Sequence, residues 1–146
     1  MAESRFLYVT YIRATQQTIW DHLTDPAANK QFWGGYHQRT GWNVGDDYEI
    51  VAGDGNVWDR GKVLEADPPR RLRVSWNHLS RAELTAEGES QCTIELEPGP
   101  TGGVTKLTLT HVIGVAPPSK FIEAVSTGWP SILASLKSLI ETGRAL

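Results

Sequence analysis

Beyond Pro117-Pro118 the apolar residues of this chain fall on one long helical stripe. Phe121, Val125, Trp129, Ile132, Leu136 and Leu139 recur at steps of three and four, and Ile122, Leu133 and Ile140 widen the stripe. Gly143 closes it. A stripe of this length must be buried against something equally long, and nothing upstream is a second helix of that size. Pro130 complicates the pattern, because inside a helix it removes a hydrogen bond and clashes with the preceding turn. Either one long helix kinks near Gly128–Pro130, or a short helix ends there and the main one begins. The kinked single helix is the expectation.

The partner is found upstream, in segments punctuated by Gly and Pro. Phe6–Ile12 alternates, with Phe6, Tyr8, Thr10 and Ile12 on one face and Leu7, Val9 and Tyr11 on the other, and predicts a strand partly covered on both faces. Thr15 is placed to cap a helix carrying Ile19, Trp20 and Leu23. Asp25-Pro26 ends that helix and starts a second, which runs to about Trp33 and stops at Gly34-Gly35. Strands are expected at Tyr36–Arg39, Asp47–Ala52, Val57–Ala66, Arg71–His78, Gln91–Glu97 and Thr105–Ile113. Gly53-Asp54-Gly55, Asp67-Pro68-Pro69 and the run from Pro98 to Gly103 supply turns, and Ser80 to Ser90 reads as a longer, mobile loop. No crossover helix fits between these strands, so they form an antiparallel meander.

One architecture satisfies both burial needs: an α+β helix-grip fold, with a curved antiparallel sheet wrapped around the C-terminal helix and two short helices after the first strand. The chain has 146 residues, which suits a single domain spanning 1–146. Its hydrophobic fraction of 40% and charged fraction of 21% are those of a globular protein. Six Trp residues in so small a domain concentrate aromatic volume near its centre. A net charge of −3, with no basic stripe, argues against nucleic acid as a partner. Arg70, Arg71 and Arg73 form the densest basic run and are read as a solvated strand face. The single cysteine, Cys92, excludes an intrachain disulfide and a thiolate metal cluster. No stretch approaches the ~20 apolar residues of a membrane span, and the first ten residues lack signal-peptide character, so a cytoplasmic location is expected.

The titratable residues announce no reaction. His22, His37, His78 and His111 show no zinc spacing, and no metal or cofactor is expected. Alternation puts His111 on the inward face of its strand with Leu107, Leu109 and Ile113, and His78 on the face of Leu72, Val74 and Trp76. The two rings either border an apolar cavity or sit hydrogen-bonded and partly wet at strand ends. Asp59 and Glu65 lie six residues apart on one strand, so alternation points both the same way. Glu65, near the strand end, is expected to be exposed. A cavity-facing Asp59 is a candidate acid or base, since burial raises a carboxyl pKa. No nucleophile elbow or phosphate loop is visible, and the catalytic residues are unknown.

Four segments together are more specific. They are Ile12–Thr15 through Ile19–Pro26; Gly61–Leu72 with Val74-Ser75-Trp76; Gly103–His111; and Gly128-Trp129 followed by Leu133, Leu136 and Leu139. In this order and spacing they resemble the homologues of the C-terminal domain of the heat-shock protein 90 ATPase activator, within the START-like superfamily. The resemblance implies the helix-grip fold, and it places Phe32 and Trp33 at the mouth of a cavity between sheet and helix. It also implies relatives that bind or process polyketide-like aromatics, and others that activate a chaperone.

The leading expectation is therefore a binding domain for a small apolar, aromatic or polyketide-like molecule. Its walls would come from Trp33, Trp58, Trp76, Phe121, Val125 and Trp129, with His78 and His111 as polar anchors. The competing physical outcome is a core filled by the same aromatics. Two other functions stand behind it: a co-chaperone-like interaction domain, and a cyclase- or hydrolase-like enzyme using His111 or Asp59 as acid–base. A monomer or a homodimer is compatible with either. A fold this widely shared does not decide among them, which the site must do.

Overall fold

The computed structural model describes residues 2–146. Its elements are β1 (Ser4–Ile12), α1 (Gln16–Thr24), α2 (Pro26–Phe32), β2 (His37–Arg39), β3 (Asp47–Val51), β4 (Val57–Asp67), β5 (Arg71–His78), α3 (Ala82–Thr85), β6 (Ser90–Pro98), β7 (Thr105–Ile113) and α4 (Lys120–Thr142). Seven strands form one antiparallel sheet in the order β1-β7-β6-β5-β4-β3-β2. The sheet folds around α4, and the helix-grip expectation holds.

Local chemistry sets the element ends. Thr15 accepts the amide of Thr18 at the start of α1, and Asp25 accepts that of Ala27 at the start of α2, with Pro26 in the first turn. Gly143 ends α4 at φ 81°, a conformation that suits glycine. α4 is one continuous helix with Pro130 inside it. β7 alternates strictly between buried and half-buried residues, and Leu107, Leu109 and Ile113 enter the core with Leu133 and Leu136 of α4. Gly61 permits a close approach of β4 and β5: a Cβ there would collide with the Ser75 carbonyl.

Three expectations change. The span from Ser80 to Ser90 is not an open loop. It contains α3, whose Leu84 is buried, and Glu87, whose carboxylate accepts Ser119 Oγ and the amides of Lys120 and Phe121 at the start of α4. Capping of one element by a residue 32 to 34 positions from its partners leaves no local sequence signal. Glu65 does not share a face with Asp59. A bulge between Val63 and Glu65 adds a residue to β4, so Val63 opposes Val74 while Glu65 opposes Arg73 and bonds Arg71 on the outer face. The outer face of β1 is not covered: Leu7, Val9 and Tyr11 are exposed, Leu7 by 59%.

A buried polar cluster ties the α1–α2 corner to the sheet. Asn29 Nδ2 donates to the carbonyls of His22 and Leu23, and its Oδ1 accepts the amide of Gln38. Gln38 Oε1 in turn accepts the hydroxyl of Tyr48, 2.6 Å away. Each buried polar group is thereby paired, and the end of α2, where Trp33 follows, is held in place.

Candidate functional site

The centre of the grip is aromatic and filled. Trp33, the C-cap of α2, stacks on Trp76 with ring centres 6.5 Å apart and meets Trp129 edge-on at 5.2 Å. Trp76 also packs against Trp129 and Tyr48. The enclosed space beneath, bounded by Phe32, Trp33, Tyr48, Trp76 and Trp129, is about 10 Å³, enough for about one water molecule. The deep cavity between sheet and helix is therefore closed by side chains.

Open space lies at the mouth instead, as two adjoining hollows. The larger, about 560 Å³, runs between the end of α2 and α4 and is walled by Trp33, Tyr36, Trp58, Trp76, Ile132 and Ser135, among others. The smaller, about 240 Å³, is lined by Trp33, Trp58, Asp59, Trp76, His78, Arg81, Leu84, Phe121, Val125 and Trp129, with neighbours from α4. Both share Trp33, Trp58, Asp59, Trp76, Gly128 and Ile132. At Gly128 a Cβ would meet nothing within 4 Å, so this helix position faces free space.

One polar cluster interrupts these walls. The pairing of β4 with β5 sets Asp59 directly opposite His78. Asp59 Oδ1 accepts His78 Nδ1–H at 2.7 Å and Trp76 Nε1–H at 2.8 Å. Burial raises the Asp59 carboxyl above its ordinary value, and the two hydrogen bonds oppose that shift. With Nδ1 committed to the carboxylate, His78 presents Nε2 outward, where it meets Ser80 Oγ at 2.9 Å.

His111 behaves differently from the expected anchor. It is fully buried and lines neither hollow. Trp129 Nε1 donates to its Nδ1 at 3.0 Å, so Nε2 carries the proton and faces Ser90 Oγ at 2.9 Å. The Ser90 hydroxyl then donates to the Trp76 carbonyl. Burial without a carboxylate pushes the imidazole down to about 3. His111 is a neutral strut behind Trp76 and Trp129.

The other seven expected wall and anchor residues, Trp33, Trp58, Trp76, His78, Phe121, Val125 and Trp129, all meet at the smaller hollow. Sequence reasoning missed Tyr36, Arg81, Leu84 and Gly128 as lining residues. Arg81 and Leu84 lay in the supposed loop, and the apolar stripe of α4 carries no mark at Gly128. It separated Asp59 from the binding set because strand pairing is not legible from one strand.

The family model described as Activator of Hsp90 ATPase homolog 1-like protein matches residues 13–141, and the chain belongs to that family. No curated protein matches it. Among solved structures it is similar to protein MLL2253 from Mesorhizobium loti, with TM-score 0.78 and 24% identity over 94% of this chain and 97% of that one. It is similar to an HSP90 activator from Plasmodium falciparum, with TM-score 0.73 and 18% identity over 93% and 95% of the two chains. DynU16, a protein of the dynemicin biosynthetic locus, gives TM-score 0.77 and 22% identity, covering 97% of this chain and 48% of that longer one. Likeness at these identities is likeness of fold.

Proposed function

We propose that this domain binds a small, planar, apolar molecule carrying a hydroxyl group. The observation that carries the reading is the composition of the mouth: an aromatic wall of Trp33, Trp58 and Trp76 interrupted by one oriented polar pair, Asp59 and His78. Apolar walls supply burial, and a few placed polar groups supply orientation. The carboxylate holds His78 with Nε2 toward the opening, where it can accept from a ligand hydroxyl in place of Ser80. Similarity of fold to DynU16, from a biosynthetic locus, is in keeping with a small-molecule role.

The test is tryptophan fluorescence with a panel of flavonoid-like and polyketide-like compounds. At least one is expected to quench at micromolar concentration, equivalent to roughly −8 kcal/mol. Gly128→Leu, which would fill the shared space of the two hollows, should abolish that quenching without unfolding the protein. If no compound binds, or Gly128→Leu binds as well as the parent chain, the reading fails.

A second reading is favoured by the exposed row Leu7, Val9 and Tyr11 on the edge strand β1. Such a row suits a protein contact, and this chain is similar in fold to an HSP90 activator from Plasmodium falciparum. Under that reading, Leu7→Asp with Val9→Asp would abolish stimulation of a heat-shock ATPase, while the mouth variants would not.

A further inference from the structure

Ser80, His78 and Asp59 stand in one hydrogen-bonded line. Asp59 Oδ1 holds His78 Nδ1 at 2.7 Å, and His78 Nε2 meets Ser80 Oγ at 2.9 Å. The carboxylate end is buried and further fixed by Trp76 Nε1 at 2.8 Å, whereas the hydroxyl end is exposed. The segment carrying the hydroxyl is itself anchored. The Leu79 amide donates to the Trp58 carbonyl, and Thr85 Oγ1 donates to the His78 carbonyl. Arg81, which follows Ser80, is the one Lys or Arg side chain among those lining the smaller hollow, and its guanidinium is paired with Glu83 at 2.7 Å. A nucleophile, a base and a group that orients the base are recognised by such geometry and not by chain order.

We propose that Ser80 is a nucleophile for acyl transfer, and that its substrates are esters of apolar or aromatic acids and phenols. The substrate class rests on the binding reading above, because the aromatic hollow is what would seat the ester. In the first step Ser80 Oγ bonds to the ester carbonyl carbon, its proton passes to His78 Nε2, and the carbonyl electron pair moves onto the carbonyl oxygen. The carbonyl then re-forms, the C–O bond to the alcohol or phenol breaks, and His78 returns its proton to the departing oxygen. Water attacks the acyl-serine with His78 again taking the proton, and a carboxylic acid leaves as Ser80 is restored. Asp59 acts through His78 and is a positioning residue.

The experiment is covalent labelling by an alkyl fluorophosphonate, read by peptide mass, beside hydrolysis of p-nitrophenyl butyrate. One adduct per chain is expected, on Ser80, and none in Ser80→Ala. His78→Gln should slow labelling by about 100-fold, the loss typical of a general base. Asp59→Asn retains an oxygen able to accept both Trp76 and His78, so it should fold and still label slowly. No adduct on Ser80, or labelling that His78→Gln and Asp59→Asn leave unchanged, overturns the nucleophile. Ligand quenching measured on Ser80→Ala separates the two claims. Quenching without Ser80 chemistry overturns the nucleophile alone, whereas Ser80 labelling without quenching by any compound supports the nucleophile and overturns the binding reading.

Discussion

His78 and His111 occupy comparable positions, each on an inward strand face and each bonded to a serine, yet their surroundings separate them. His111 lies behind Trp76 and Trp129, with a tryptophan and a serine as partners and no carboxylate in contact. His78 lies in front of Trp76, backed by Asp59 and open to the mouth. The same residue type is a structural strut where burial is complete and unpaired with charge. It is an oriented, accessible acceptor where a buried carboxylate stands behind it. An inward-pointing histidine is thus not a site by virtue of its direction; what faces its two nitrogens decides.

The largest test of this contrast is His111→Ala. Removing the ring leaves a cavity and strands the Trp129 indole N–H, so the variant should lose about 3–5 kcal/mol of stability in chemical denaturation. A loss below about 1 kcal/mol would mean that His111 is not a strut.

Next in size is pH dependence. The folded imidazole of His111 is depressed to about 3, against an ordinary value of about 6.5. Between those values the unfolded chain binds a proton that the folded chain refuses. Stability from this site is therefore complete above the ordinary value and is lost as pH falls toward the folded one. Between pH 6 and pH 4 it should fall by about 2 kcal/mol. His111→Gln should remove that component of the slope; an unchanged slope would refute the assignment.

His78 should give the reverse pattern. His78→Gln is expected to cost about 1–3 kcal/mol in stability, less than the loss of the His111 ring, since it removes one of the two hydrogen bonds to the buried Asp59 carboxylate. Yet it should weaken a hydroxylated ligand about tenfold, or about 1.4 kcal/mol, relative to its deoxy analogue. Paired calorimetric titrations of the two compounds would measure this, and equal losses for both would remove His78 from ligand recognition.

The smallest expected effect is a gain. Gly128→Ala places a methyl in free space on an α-helix and should add about 0.5–1 kcal/mol to stability. It should also slightly narrow both hollows, so a thermal melt that rises while ligand affinity falls would sharpen the placement of the site.

The periodicities of this chain settled much on their own. Strict alternation in Thr105–Ile113 put Leu107, Leu109 and His111 on the buried face, and the three-and-four stripe set Leu136 against the sheet. Proline, glycine and capping residues marked nearly every element boundary, because those signals act within a few positions. The short helix α3 escaped notice because four residues carry too little periodicity, and the Glu87 cap because its partner begins at Ser119.

What tertiary structure alone decided is which side chains meet. Alternation says which face a strand residue takes, but it is blind to a register shift of two, which keeps every face and changes every partner. A bulge, which inserts a single residue, changes faces as well: the one in β4 turned Glu65 outward and left Asp59 inside, opposite His78. The filling of the grip is another such decision. Six tryptophans in the sequence are equally compatible with a lined cavity and a plugged one. Only the mutual packing of Trp33, Trp76 and Trp129 closes the interior and moves the free space to the mouth, where the Asp59–His78 pair stands.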